Sequence, residues 1–118
     1  MIHFIGAGPG DPELLTIKGK RLIDRADVII YAGSLVNKAV LADRKPEAEV
    51  YNSAYMTLEE VTEVMKKADE KGQDVARVHT GDPSIYGAIR EQMDILEALK
   101  IDYEVIPGVS SFLAAAAS

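Results

Sequence analysis

Short apolar runs alternate with stretches of helical period along the chain. The runs are Ile2–Ile5, Val28–Tyr31, Glu49–Tyr51, Val75–His79 and Tyr103–Ile106, of which Glu49–Tyr51 is the weakest. Between them, Pro12–Arg25 carries Leu14, Leu15, Leu22 and Ile23 on one side. Leu58–Lys71 spaces Leu58, Val61, Met65 and Ala68 as one helix face, and Ser84–Leu99 does the same with Ile85, Ile89, Met93 and Leu96. A short helix is expected over Val36–Ala42. Apolar strands separated by helices predict an α/β fold: an open, mainly parallel five-stranded sheet with helices on both faces and right-handed crossovers. No repeat, low-complexity tract or linker interrupts the pattern, so residues 1–118 read as one domain.

The strand ends carry the chemistry. Gly6-Ala7-Gly8-Pro9-Gly10-Asp11-Pro12 follows the first strand, Thr80-Gly81-Asp82-Pro83 the fourth, and Pro107-Gly108-Val109-Ser110-Ser111 the fifth. In a parallel sheet the carboxyl ends of all strands share one edge, where open α/β sheets take their ligands. Three turns distant in sequence are therefore expected on one rim. Gly-Asp-Pro occurs twice, at Gly10–Pro12 and Gly81–Pro83. Asp is a favoured helix cap and Pro a favoured first helical residue, which is the reading for Asp11. For Asp82, capping and ligand contact stand side by side.

The first turn departs from a phosphate cradle. A dinucleotide loop needs G-x-G-x-x-G, and Asp11 occupies the last position. Pro9 has no N–H to offer an oxyanion, and a carboxylate at Asp11 would repel a diphosphate. The acidic residue expected near the end of the second strand is missing, since Asp27 lies at its start and Ala32-Gly33-Ser34 follow it. The loop suits close backbone approach by a ligand that is not a polyanion there.

Composition narrows the partners. A net charge of −6 disfavours nucleic acid and anionic membrane surfaces. No cysteine is present, which removes disulfides and thiolate metal sites. His3 and His79 lack a third ligand at diagnostic spacing, so no metal site is expected. No apolar stretch approaches a membrane span and no secretory leader is recognisable, so the expected location is cytoplasmic. The chain closes on the helix-forming run Phe112–Ser118 without a stop signal, so it is expected to be part of a longer protein.

The motifs resemble the tetrapyrrole methylase family. The resemblance rests on Phe4–Thr16, Ala26–Tyr31, Thr80–Pro83 and Pro107–Ser111, in the family's order and spacing across the whole chain. Tyr31–Val36 and His79–Gly87 are most similar to the branch that methylates C11 of precorrin-4 or cobalt-precorrin-4. The resemblance implies a SAM-dependent (S-adenosylmethionine) C-methyltransferase of cobalamin synthesis acting on a precorrin-type tetrapyrrole. It implies a two-domain homodimer, of which residues 1–118 are the N-terminal domain, and a fragment that binds SAM weakly or not at all by itself. Carried over by motif, the cofactor contacts are Pro9, Thr80, Gly81, Asp82, Ile85, Ser110 and Ser111. Relatives that methylate uroporphyrinogen carry an Asp after the strand-ending Tyr, and here that position is Ala32. No catalytic residue is assigned. The competing expectations are another branch of the family, with a different ring carbon, and a non-catalytic nucleotide-binding α/β domain.

Several side chains are weighed individually. Lys18, Lys20, Arg21 and Arg90 are candidates to meet substrate carboxylates, with ordinary surface roles favoured. His79 is a candidate for substrate contact or proton transfer, against the plainer reading of a hydrogen-bonded strand-end histidine. His3 reads as structural. Tyr31 and Tyr86 are cleft or packing residues, and Met56, Met65 and Met93 are core filler.

Overall fold

A computed structural model describes residues 1–7, 15–33, 38–79 and 89–106. Among these residues there are five strands: β1 (Ile2–Gly6), β2 (Val28–Tyr31), β3 (Glu49–Asn52), β4 (Val75–His79) and β5 (Tyr103–Ile106). Their bounds follow the apolar runs to within a residue. They form one sheet in the order β3-β2-β4-β1-β5, and every neighbouring pair is parallel.

The helices are α1 (Ile17–Arg25), α2 (Leu58–Glu70) and α3 (Arg90–Ala98). The α1 helix is shorter than its apolar pattern suggests, because Thr16 is its cap and accepts a hydrogen bond from the Gly19 amide at 3.0 Å. The segment expected as a short helix at 36–42 contains a 3-10 turn, Lys38–Leu41. The α2 helix opens with a capping box, in which Thr57 and Glu60 each accept from the other's backbone N–H.

Two apolar layers sandwich the sheet. On one face Ile5, Ile29, Ala76 and Val78 pack with Ile23 of α1 and with Val40 and Leu41. On the other, Ile2, Phe4, Ile30 and Val75 pack with Val61 and Met65 of α2 and Leu96 of α3. Met65 is fully buried, while Met56 and Met93 pack at the margin of that layer, as core filler should.

Gly19 lets α1 approach β1. A Cβ there would stand 2.9 Å from the Thr16 hydroxyl and 3.0 Å from the Ile5 side chain. Gly19→Ala is therefore expected to cost about 1–2 kcal/mol despite alanine's better helix propensity, through overpacking and loss of the cap. The urea unfolding midpoint measures this, and a rise in the midpoint would refute the close contact.

The two layers explain the topology. From β1 the chain moves through β2 to β3 toward one edge, with its connections on the α1 face. From β3 it returns to β4 and crosses to β5, with α2 and α3 on the opposite face. Adjacent central strands β1 and β4 thus send their following connections to opposite sides of the sheet. Doubly wound sheets hold ligands in the crevice at such a switch point, outside the carboxyl ends of the two strands.

Candidate functional site

The crevice floor is built by strand pairing. Gly6 lies beside His79 and Ile5 beside Ile106, so the carboxyl ends of β4, β1 and β5 stand side by side. The Ala7 amide donates to the His79 carbonyl at 2.6 Å, carrying the β1–β4 ladder one residue past the strand. The three strands that lead into the special turns are therefore neighbours on one edge. Pro9, Thr80, Gly81, Asp82, Ile85, Ser110 and Ser111, together with Asp11, Tyr86, Gly8 and Gly108, lie outside the described residues.

Small groups surround the crevice. Gly6 and Ala7 end β1, and Ala32 and Gly33 follow β2, with the Ala32 amide bonded to the Val78 carbonyl at 3.1 Å. Gly33 has φ +71°, a left-handed conformation that favours glycine, and a Cβ there would meet Ala54 at 3.3 Å. Tyr31 is buried in the α1-side core, so its ring packs. Among the described residues this edge offers backbone and small side chains to a ligand, without a cluster of cations for a diphosphate. Such a surface fits a cofactor held by close van der Waals and backbone contact.

His79 is a strand-end residue, and the expected ring hydrogen bond is not made through Nε2 among the described residues. It is buried, and its ring stacks on Phe4 with centroids 6.4 Å apart. Burial, reinforced by the nearby Arg77 charge, pushes its pKa down to about 3. At neutral pH it is an uncharged imidazole and no reservoir of positive charge. His3 matches its structural reading, with Nδ1 2.6 Å from Glu104.

Of the candidates Lys18, Lys20, Arg21 and Arg90, all but Arg21 form ion pairs with the chain's own carboxylates among the described residues, in keeping with the favoured surface roles. Lys20 binds Asp24 at 2.7 Å and Asp43 at 2.8 Å, Lys18 lies 3.8 Å from Glu104, and Arg90 lies 3.5 Å from Asp94. Asp27, at the amino end of β2, is held by Lys45 at 2.6 Å and by the Asp74 amide at 2.9 Å. The Lys45 hydrogen bond holds the Asp27 carboxyl below its ordinary range. It is a fold contact at the edge opposite the crevice.

Sequence reasoning missed Arg77. It sits inside β4, only 5% exposed, beneath the edge occupied by His79. Its Nε donates to the Gln92 side chain at 3.0 Å and its Nη1 to the Ile30 carbonyl at 3.3 Å. Burial pushes its pKa down to about 10, so it stays charged at neutral pH. The available signal was a lone charge in the apolar run Val75-Ala76-Arg77-Val78. Among the described residues no group of His, Asp and Glu could hold a metal, and no helix is long and apolar enough to cross a membrane.

Comparison with known proteins agrees with this architecture. The chain matches the family Tetrapyrrole (Corrin/Porphyrin) Methylases over residues 1–118. It is 65% identical over 117 residues to the cobalt-precorrin-4 C(11)-methyltransferase of Methanocaldococcus jannaschii, covering 99% of this chain and 45% of that protein. It is 53% identical over 116 residues to the precorrin-4 C(11)-methyltransferase of Pseudomonas aeruginosa, covering 98% and 46% respectively. Thus the chain spans about half the length of the curated relatives it matches. Among solved structures, a cobalt precorrin-4 methyltransferase superposes with TM-score 0.94 at 52% identity, covering 98% of this chain and 48% of that one. A uroporphyrin-III C-methyl transferase from Thermus thermophilus, complexed with S-adenyl homocysteine, gives TM-score 0.79 at 35% identity, covering 98% and 47%.

Proposed function

The chain belongs to the tetrapyrrole (corrin/porphyrin) methylases, and on that premise we propose that its protein is a SAM-dependent C-methyltransferase of cobalamin biosynthesis. The reaction is methylation of C11 of precorrin-4 or cobalt-precorrin-4. The observation that carries this reading is the likeness, over nearly the whole chain, to relatives bearing that activity in their names. The crevice supports it, because three neighbouring strand ends lead into the motifs that carry the family resemblance. Family membership favours a methylase over a non-catalytic nucleotide-binding domain, and Ala32 disfavours the uroporphyrinogen branch.

When bound, SAM supplies a methyl group already activated by the positive charge on its sulfur. The chain's part is to hold donor and ring carbon in line and to exclude water. Within this proposal Pro9, Thr80-Gly81-Asp82, Ile85 and Ser110-Ser111 hold the cofactor, and a homodimer in the cytoplasm is the working form. Small residues at the ends of β1 and β2 let donor and acceptor approach the backbone. With alanine at position 32, no side chain is assigned as the base that takes the ring proton.

Full-length protein given precorrin-4 or cobalt-precorrin-4 with SAM is expected to yield a product one methyl group heavier, identified by mass spectrometry as C11-methylated. Methylation at another ring carbon would move the protein to another branch. In the same protein, Asp82→Ala is expected to weaken SAM binding about ten-fold by calorimetry, as loss of a charged hydrogen bond does. Unchanged affinity would reduce Asp82 to a helix cap.

A further inference from the structure

Arg77 stands apart from the other cations. It is buried, it is charged at neutral pH, and no carboxylate forms an ion pair with it among the described residues. Among the described residues its hydrogen bonds go to neutral oxygens, the Gln92 amide and the Ile30 carbonyl. A buried cation with only neutral partners leaves much of its desolvation cost uncompensated.

Arg77 also lines a cavity of about 200 Å³, with Ser53, Thr57, Leu58, Glu91 and Gln92 among the other walls. Ser53 and Thr57 follow the carboxyl end of β3, and the cavity reaches the first turns of α2 and α3. These elements place it at the edge of the sheet that carries the crevice, on the α2–α3 side. The positive ends of two helix dipoles add to the Arg77 charge there. The helix ends alone make no site, since Glu60 and Glu91 already occupy their first turns. The buried guanidinium supplies what they lack.

We propose that the Arg77 cavity is a subsite for a carboxylate side chain of the acidic tetrapyrrole. This rests on the tetrapyrrole reading above and adds the group that recognises the substrate's charge. It answers a mismatch in the chain, which is acidic overall and has tied Lys18, Lys20 and Arg90 to its own carboxylates. A planar guanidinium suits a carboxylate better than an ammonium does, because it presents parallel donors. Glu91 opposes the ligand's charge, so the subsite favours a carboxylate drawn to the Arg77 wall.

The test uses the full-length protein, uroporphyrin III as a stable polycarboxylate probe, and its all-amide derivative as a neutral control. Arg77→Met is expected to weaken binding of the free acid at least ten-fold by fluorescence titration. Gln92→Glu, which supplies an internal carboxylate in nearly the same space, is expected to give the same loss while raising the thermal midpoint. Glu91→Gln is expected to strengthen binding of the acid a few-fold. The amide should bind wild type and variants alike, and S-adenosylhomocysteine affinity should stay within two-fold throughout. Should Arg77→Met fold poorly, Gln92→Glu decides alone. Equal affinity of the acid for wild type and both Arg77-directed variants overturns the subsite and leaves the methyltransferase reading intact. Failure of wild type to bind S-adenosylhomocysteine and the porphyrin overturns both.

Discussion

On acidification from pH 6 to pH 4 the protein is expected to lose stability steeply, and His79→Leu is expected to remove much of that loss. Burial first, and the Arg77 charge second, hold the folded-state pKa of His79 at about 3, against an ordinary value of 6.5. Between those two values the unfolded chain binds a proton that the folded chain refuses, so stability falls as pH falls through the window. Above pH 6.5 both states are neutral there and the effect vanishes. The full difference, reached only below both values, is on the order of 5 kcal/mol, a large part of the stability of a domain of this size. Asp27, whose pKa is also depressed, weakens the fold in the same direction at lower pH. The informative quantity is therefore the difference between wild type and His79→Leu across a pH series of urea midpoints. Parallel curves would show that His79 protonates freely in the folded state. An NMR titration provides a second check, with the His79 ring expected to remain neutral down to about pH 4, well below the ordinary histidine range.

Phe4→Ala is expected to cost about 3–5 kcal/mol, the range for truncating a buried phenylalanine. Phe4 is fully buried at the centre of the α2–α3 layer. Its ring meets Tyr103 edge-on at 5.7 Å and stacks with His79 at 6.4 Å. Truncation loses apolar burial, leaves a cavity between β1 and two helices, and removes two ring contacts together. The equilibrium urea midpoint of Phe4→Ala measures the cost, and Phe4→Leu is expected to recover more than half of it. A cost below about 1 kcal/mol would mean that the neighbouring side chains collapse into the space.

Much of this architecture is written locally. Val28–Tyr31 is a continuous apolar run and Val75–His79 is apolar but for Arg77 and His79, as expected of strands covered on both faces, and they become β2 and β4 without a shift. Thr57 and Glu60 mark the start of α2 by their spacing alone. The start of α1 was less legible, because Leu14 and Leu15 extend the apolar stripe past the Thr16 cap. Strand order was not legible at all, since it depends on which runs pair across long stretches of chain.

The site was read unevenly for the same reason. That the turns share an edge follows from parallel strands, but the adjacency of β4, β1 and β5 needed the sheet. Lys18 and Lys20 meet Glu104 and Asp43 only after folding, whereas Arg90–Asp94 and Lys20–Asp24 are i,i+4 pairs that the sequence spacing already offered. Arg77 looked like one charge among many, although its apolar neighbours in β4 marked it as buried. His79 changed meaning once the Phe4 ring and the Arg77 charge were beside it.

The central position of β1 also sets the order in which the chain can fold. Its ladders run only to Val75–His79 and Tyr103–Ile106, more than seventy residues downstream. On a ribosome, Ile2–Ile5 emerges well before both of its partners and must wait for them, while β2 and β3 are separated only by residues 32–48. An apolar segment made before its partners is thus among the last of the sheet to be hydrogen-bonded, which slows folding and leaves a sticky strand in need of protection during synthesis.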